Sequence, residues 1–212
     1  MRIGLYGGSF DPVHWGHIRP IQEARESLEL DQVLYLPTGR PPHKAERHAG
    51  ARRLLAAPRR FAMVELALLN EEGLFVSPYE LSEESTSYTV HSLEHFRETQ
   101  PNDEFFLLMG ADSWHNLESW REWRRILELV EIGVLVRPGW ELPELDGERA
   151  EAVDRGRVHF IHNRPLPLAS RRIRAALANG EPLSPDELPP QVLEYVQKYD
   201  LYRSNAEPVD RH

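Results

Sequence analysis

The sequence predicts an α/β fold with a doubly wound parallel sheet and a small C-terminal helical extension. Short apolar runs rich in Val, Ile, Leu and Phe recur along the 212 residues, without regular alternation of polar and apolar positions. Strands of that kind are buried on both faces. Longer stretches with helical character separate these runs, and strands that alternate with helices form βαβ units in a parallel sheet. The length is sufficient for one substantial core.

Strands and helices are predicted to alternate along most of the chain. The strands are Arg2–Tyr6, Gln32–Pro37, Leu74–Ser77, Glu104–Met109, Ile132–Arg137 and Arg157–Ile161. The helices are Gly16–Glu29, Arg59–Glu71, Thr89–Thr99, Trp120–Val130, Ser170–Ala178 and Pro190–Lys198. Gly73 and Gly180 each follow a helical stretch, where glycine commonly ends a helix. The polar residues 140–156 are expected to form a surface excursion. We expect one domain over residues 1–202 and a flexible tail at 203–212.

Composition excludes several classes of protein and site. The chain contains no cysteine, which rules out disulfides, a thiolate nucleophile and cysteine-containing zinc sites. Its formal net charge is -9, so no nucleic-acid partner is expected. No membrane partner is expected either, and a cytoplasmic location is predicted, because neither a membrane-spanning run nor a signal-peptide pattern is present. A homo-oligomer is compatible with the sequence. Basic residues are concentrated at Arg40, His43 and Lys44 and at Arg171, Arg172 and Arg174.

The first seventeen residues predict an anion site. A short apolar strand runs into Gly7 and Gly8, a turn follows, and two histidines, His14 and His17, stand at the start of a helix. The unpaired backbone N–H groups of the first helical turn and the helix dipole both favour an anion there. The glycine spacing matches neither the dinucleotide fingerprint nor the phosphate loop of the nucleoside triphosphatases. The segment therefore indicates phosphate chemistry of another kind.

Each part of this segment also has a simpler interpretation. Gly7 and Gly8 alone could form a tight turn, as after many strands. His14 and His17, three residues apart, face the same side of a helix and could be a surface pair. They could also be two metal ligands, but no nearby acidic residue or cysteine completes a convincing shell. With Ser9 and the Asp11-Pro12 turn beside them, the catalytic interpretation is favoured.

Residues 7–17, GGSFDPVHWGH, resemble the signature of the nucleotidylyltransferase superfamily, whose members transfer nucleoside monophosphate groups on a Rossmann-like fold. Three later segments narrow the resemblance to the bacterial nicotinate-nucleotide adenylyltransferase family. These segments are Pro37–Lys44, Ser87–Thr89, and Gly110–Ser113 with Trp120 and Trp123 downstream. The similarity runs from Arg2 to about Tyr202.

This resemblance implies a reaction in which ATP and nicotinate mononucleotide give deamido-NAD and pyrophosphate. The mononucleotide phosphate is itself the nucleophile, so catalysis consists of positioning and charge stabilisation. Mg²⁺ is the implied cofactor, bound mainly through substrate phosphates and not by a protein metal site. The implied catalytic residues are His14, His17, Lys44 and Arg174. The implied substrate-binding residues are Gly7, Gly8 and Ser9 at the phosphates, Thr89 and Trp120 at the pyridine ring, Asp112 at the ribose, and also Phe10, Gly110 and Ser170.

Structural alternatives accompany several of these roles. Lys44 could lie in a solvated loop, and Trp120 and Trp123, three apart on a predicted helix, could pack in the core. Thr89, Asp112 and Ser170 could each cap a helix. The segment from 169 to 174 departs from the family pattern, since Ala169 and Arg171 replace a serine and a threonine. Arg171 and Arg172 are expected on a solvated helix face.

Three other functions fit the sequence less well. An adenylyltransferase could prefer nicotinamide mononucleotide or another phosphorylated acceptor, because sequence does not place the groups that distinguish a carboxylate from an amide. A nucleotide sensor could keep the fold without catalysis, although both histidines and Arg174 are intact. A metal-binding protein could use His14, His17, His43 and His48.

Overall fold

A computed structural model describes residues 1–39, 54–82, 87–137, 139, 145, 147–164 and 166–203. The predicted basic loop at 40–44, including Lys44, lies outside these residues, as do His48 and residues 204–212 of the predicted tail.

Each predicted strand and each predicted helix has a counterpart in the structure. The strands are β1 (Arg2–Gly8), β2 (Gln32–Pro37), β3 (Leu74–Val76), β4 (Glu104–Gly110), β5 (Glu131–Val136) and β6 (Val158–His162). The helices are α1 (Trp15–Ser27), α2 (Ala57–Leu68), α3 (Tyr79–Ser82), α4 (Thr89–Thr99), α5 (Ala111–His115), α6 (Trp123–Leu129), α7 (Gly147–Asp154), α8 (Ser170–Asn179) and α9 (Pro190–Lys198). A 3₁₀ turn, Leu117–Ser119, separates α5 from α6.

The strands form one parallel sheet in the order β3-β2-β1-β4-β5-β6. Buried residues fill the middle of each long strand, and Ile3 and Leu5 of β1 are fully buried. The predicted α/β fold with a Rossmann-like, doubly wound parallel sheet is therefore confirmed. The strand order reverses between β1 and β4, and ligands of such sheets bind at the carboxyl ends of the strands at that switch point.

Two hydrophobic clusters cover the two faces of the sheet. One contains Ile18, Met63 and Val192, from α1, α2 and α9. The other contains Leu93 and Ile126, from α4 and α6. The C-terminal extension thus joins the cluster that supports α1, and α9 packs directly on α2. Within the described residues, no helix is long and apolar enough to cross a membrane.

Local structure differs from the sequence-based expectation around Trp120 and in residues 140–156, and the short helices α3 and α5 were not predicted. The helix predicted from Trp120 begins only at Trp123, because Glu122 adopts a left-handed backbone with φ 52° and breaks the helical path. Trp120 and Trp123 therefore do not share a helix face. The polar excursion at 140–156 contains the helix α7.

Candidate active site

A cavity of about 700 Å³ opens at the switch point of the sheet. The predicted site residues that line it are Gly7, Gly8, Thr89, Gly110 and Trp120. An added Cβ at Gly7 or Gly110 would meet no atom within 4 Å, so both backbones are accessible from the cavity. The volume lies within the ordinary range for small-molecule sites, about 300–1,000 Å³.

The two histidines lie at the start of α1 and form a stacked pair. Their ring centres are 3.8 Å apart with an interplanar angle of 31°. His14 precedes the helix in an extended conformation, and its backbone N–H donates to Nδ1 of His17 over 3.2 Å. Because Nδ1 accepts a hydrogen bond, a neutral His17 carries its proton on Nε2. His17 can therefore donate a hydrogen bond from Nε2.

Both histidines are neutral at neutral pH. Burial lowers the pKa of His14 to about 4, and the positive charge of Arg137 acts in the same direction. Burial also lowers the pKa of His17 well below its ordinary value, and the electrostatic effects of His14 and Arg137 lower it further. The side chain of His14 is only 4% exposed, whereas His17 keeps part of its surface open. Nδ1 of His14 is buried and has no hydrogen-bond partner among the described residues.

At two glycines around the pair, an added side chain would meet an aromatic ring that lies against the backbone. A Cβ on Gly16 would stand 3.0 Å from the ring of His14. A Cβ on Gly8 would stand 2.8 Å from the ring of Phe10, which packs edge-on to His17 at 5.3 Å. Phe10 is buried, and its ring packs against and supports His17.

The loop between β1 and α1 is fastened by the C-terminal part of the chain. Ser170 donates its hydroxyl to the carbonyl of Pro12 over 3.0 Å, and Arg174 donates from Nη1 to the carbonyl of Asp11. Tyr202 donates its hydroxyl to Oδ1 of Asp11 over 2.7 Å. The expectation that Ser170 caps its helix is wrong, because it is the first residue of α8 and its hydroxyl bonds across to the loop. Arg174 is thereby held beside the histidine-bearing segment.

The neighbouring arginines of α8 differ in their surroundings. Arg171 is exposed, as expected for a solvated face. Arg172 is also exposed but forms an ion pair with Glu187, which sequence reasoning did not anticipate.

Arg60 is a site-forming residue that sequence reasoning missed. Its side chain is 1% exposed and donates to the carbonyls of Ser9 at 2.7 Å, Thr38 at 2.6 Å and Leu55 at 2.9 Å. It thereby ties the segments that follow β1 and β2 to α2. The available signal was a charged residue on the apolar face of α2, three residues before Met63.

A second buried charge, Glu80, lines the cavity near this network. Ser92 donates its hydroxyl to Oε1 of Glu80 over 3.0 Å. Burial raises the pKa of the Glu80 carboxyl, while hydrogen bonds from Ser92, Ser87 and Thr38 and the charge of Arg60 oppose that effect.

The wall opposite β1 is aromatic. Trp120 is partly buried and extended, and Thr89 is the first residue of α4, so the free N–H groups of that helix start near the cavity. The guanidinium of Arg121 lies 4.8 Å from the centre of the Tyr88 ring. Trp123 lies outside this cavity, with Arg124 over its ring at 4.5 Å. The structure thus places Trp120, and not Trp123, at the cavity wall.

Asp112 is a predicted site residue that the structure does not bring into the cavity lining. It is the second residue of α5, its side chain is exposed, and it does not line the cavity, whereas Gly110 and Ser113 do. It does not cap α5 either, because Gly110 occupies the capping position. A ribose contact by Asp112 stays a prediction.

The chain is similar to known proteins over most of its length. Residues 5–176 match the family model described as cytidylyltransferase-like. A relative from Shewanella sp. (strain MR-7), named "Probable nicotinate-nucleotide adenylyltransferase", is 37% identical over 219 residues, covering 96% of this chain and 100% of the relative. A protein of the same name from Aeromonas hydrophila is 37% identical over 216 residues, covering 95% and 97%.

The fold also matches solved structures. Plasmodium falciparum nicotinic acid mononucleotide adenylyltransferase complexed with NaAD superimposes with a TM-score of 0.74 at 19% identity, covering 95% of this chain and 97% of that chain. The same enzyme complexed with APC gives a TM-score of 0.74 at 18% identity. At such low identity these two matches establish the shared fold alone.

Proposed function

This chain belongs to the nicotinate-nucleotide adenylyltransferase family of cytidylyltransferase-like proteins, and from that membership we propose that it transfers the adenylyl group of ATP to nicotinate mononucleotide. The products are deamido-NAD and pyrophosphate. The observation that carries the proposal is the neutral histidine pair at the start of α1. The two histidines do not themselves line the cavity, but His17 packs on Phe10, whose ring lies against Gly8 of the cavity wall.

The proposed chemistry is one in-line displacement at phosphorus. An oxygen of the mononucleotide 5′-phosphate bonds to the α-phosphorus of ATP, and the bond from that phosphorus to the bridging oxygen of the β-phosphate breaks. The leaving pyrophosphate keeps the bond's electron pair. No protein nucleophile is required, so the protein contributes alignment and stabilisation of the charge that develops on the phosphoryl oxygens.

The histidines supply neutral donors for that charge. His17 donates from Nε2 to a non-bridging oxygen of the α-phosphate, since its Nδ1 is taken by the backbone of His14. Nδ1 of His14 is buried against Gly16 at the start of α1, so His14 reaches a substrate through Nε2. A preformed neutral donor needs no proton from solvent at the moment of reaction.

Other groups hold the remaining phosphate charge. The backbone at Gly7 and Gly8, together with Ser9 and the N-terminus of α1, receives phosphate oxygens. Arg174 is held beside the loop by its hydrogen bond to the carbonyl of Asp11 and binds phosphate oxygens from there. The exposed Arg137 adds positive charge close to the histidines. Lys44, which lies outside the described residues, is the second proposed phosphate cation besides Arg174.

The acceptor lies on the aromatic side of the cavity. Trp120 stacks on the pyridine ring, and Thr89 with the N–H groups at the start of α4 meets the carboxylate. Asp112 accepts hydrogen bonds from ribose hydroxyls. These roles place the mononucleotide phosphate near Gly7 and Gly8, next to the histidines.

Mg²⁺ fits this arrangement as an ion bound by substrate. The two buried carboxylates nearest the phosphates are engaged, Asp11 by Tyr202 and Glu80 by Ser92. Within the described ranges, no three His, Asp or Glu residues gather as a metal cluster. When bound, Mg²⁺ would be held mainly by phosphate oxygens and water, and it would neutralise charge on the leaving pyrophosphate.

The proposal is tested by pyrophosphate release with Mg-ATP and nicotinate mononucleotide, comparing wild type with His17→Ala. Removal of one transition-state donor is expected to lower kcat by at least ~100-fold. The matched control is His115→Ala, because His115 is exposed at the end of α5 and does not line the cavity. A folded His17→Ala variant that turns over at the wild-type rate would show the mechanism to be wrong.

A further inference from the structure

Arg121 is a cation on the acceptor side of the cavity. It directly follows Trp120 and is one of the residues that line the cavity, together with Tyr88 and Thr89. Among the described residues that line this cavity, Arg121 is the one with a cationic side chain. The acidic residue there, Glu80, bonds to Ser92 and is buried.

Local structure places the guanidinium of Arg121 beside Tyr88 on the aromatic wall of the cavity. Glu122 has a left-handed backbone, so the chain turns between Trp120 and the start of α6. The guanidinium carbon of Arg121 lies 4.8 Å from the centre of the Tyr88 ring, a cation–π contact that limits the orientations of a long side chain.

The present ion partner of Arg121 is weakly held. Its Nε stands 3.3 Å from Oε1 of Glu122, and the two side chains are 52% and 53% exposed. An exposed pair of this kind contributes little, about 0–1 kcal/mol, because water and salt screen it. A carboxylate bound inside the cavity can therefore accept hydrogen bonds from Arg121 in place of Glu122.

We propose that Arg121 is a specificity-determining residue that selects an acceptor with a pyridine carboxylate over the corresponding amide. This inference rests on the proposed function and deepens it. A guanidinium offers five donors and no acceptor, in a planar fork that matches both oxygens of a carboxylate. An amide carries no charge, and its NH₂ group, which is itself a donor, finds no acceptor on the guanidinium.

Thr89 and the start of α4 do not make this distinction alone. Backbone N–H groups donate to an oxygen of either a carboxylate or an amide. Arg121 adds a full positive charge on the same wall and so favours the acid form.

The test measures kcat/KM for nicotinate mononucleotide and for nicotinamide mononucleotide in wild type, Arg121→Gln and Arg121→Lys. In Arg121→Gln the acid-to-amide ratio of kcat/KM is expected to fall about tenfold, the scale of one charge-assisted hydrogen bond, through a higher KM for the acid. Arg121→Lys keeps the positive charge but loses the planar fork of donors, so its acid-to-amide ratio is expected to lie between those of wild type and Arg121→Gln. The matched control is Arg124→Gln, an exposed arginine that pairs with Glu148 and lies outside the cavity, and it should keep the wild-type ratio.

The outcomes separate this inference from the proposed function. A wild-type enzyme that prefers the acid, with the same preference in Arg121→Gln, overturns the role of Arg121 and leaves the proposed function standing. Equal losses with both acceptors in Arg121→Gln also overturn it, since they indicate a general structural effect. Release of pyrophosphate with neither mononucleotide in the wild type overturns the proposed function itself.

A binding measurement without ATP provides a second readout. Calorimetric titration of the full chain with nicotinate mononucleotide should show a Kd about tenfold weaker in Arg121→Gln. An unchanged Kd in that variant contradicts the inference even if turnover is altered.

Discussion

Replacement of Arg60 by methionine is expected to loosen the scaffold that holds the active-site loop. In the native chain Arg60 donates three hydrogen bonds to the carbonyls of Ser9, Thr38 and Leu55, and its side chain is almost fully buried. Methionine fills much of the same volume but donates nothing. The three carbonyls lose their cationic donor, and Glu80 loses a nearby positive charge.

The size of the effect follows from those contacts. A buried acceptor left without a partner costs about 1–3 kcal/mol, and the three costs are not fully additive because the loops relax and admit water. Breaking a buried charged network costs about 3–5 kcal/mol. In a chain of this length each kcal/mol lowers Tm by about 2–4 °C, so Arg60→Met should lower Tm by about 10 °C.

The assay is thermal unfolding followed by circular dichroism, with pyrophosphate release measured at a temperature where the variant is folded. The control is Arg59→Met, since Arg59 precedes Arg60 on the same helix but its guanidinium lies over the ring of Tyr199, 5.7 Å from the ring centre. That control should lose less than about 1 kcal/mol. An Arg60→Met variant with a wild-type Tm would refute the reasoning.

Three further perturbations act on the same loop. His14 binds a proton near pH 6.5 in the unfolded chain but only near pH 4 in the native chain. Its contribution to the free energy of unfolding is therefore fully present above about pH 6.5 and falls by about 3 kcal/mol as the pH drops towards 4. Between pH 7 and pH 4.5, denaturant unfolding should show a smaller loss of stability in His14→Gln than in wild type, and equal losses would contradict the assignment. Gly16→Ala should reduce kcat at least about tenfold with little change in Tm, because the new methyl displaces the His14 ring; a wild-type kcat would argue against ring placement as a catalytic requirement. Tyr202→Phe removes one hydrogen bond to the buried carboxylate of Asp11 and should lower the free energy of unfolding in urea by about 1–2 kcal/mol, whereas an unchanged urea midpoint would mean that the contact contributes nothing.

The sequence was sufficient for those features that local pattern encodes. The strands are buried apolar runs, and parallel pairing follows from their alternation with helices, so the order of the elements was predicted correctly. The histidine pair was found because its glycine turn and helix start lie within one short segment. The resemblance to nicotinate-nucleotide adenylyltransferases is confirmed by relatives that match over nearly the full chain.

Features that depend on distant contacts were not predicted. Arg60 reaches Ser9 across 51 positions and Tyr202 reaches Asp11 across 191, and no sequence spacing indicates such pairs. The start of α6 was misplaced because Glu122 adopts a left-handed backbone, a conformation that the sequence usually marks with glycine or asparagine. Trp120 consequently faces the cavity from an extended segment instead of from a helix.

The central claim is transfer of an adenylyl group directly between two substrates. The most direct test incubates the full chain with Mg-ATP labelled at the α-phosphorus and with nicotinate mononucleotide, and follows the label. We predict that the label appears in deamido-NAD, with one equivalent of unlabelled pyrophosphate and no label retained on the protein. Label on the protein, or no labelled dinucleotide from a folded enzyme, would contradict the account.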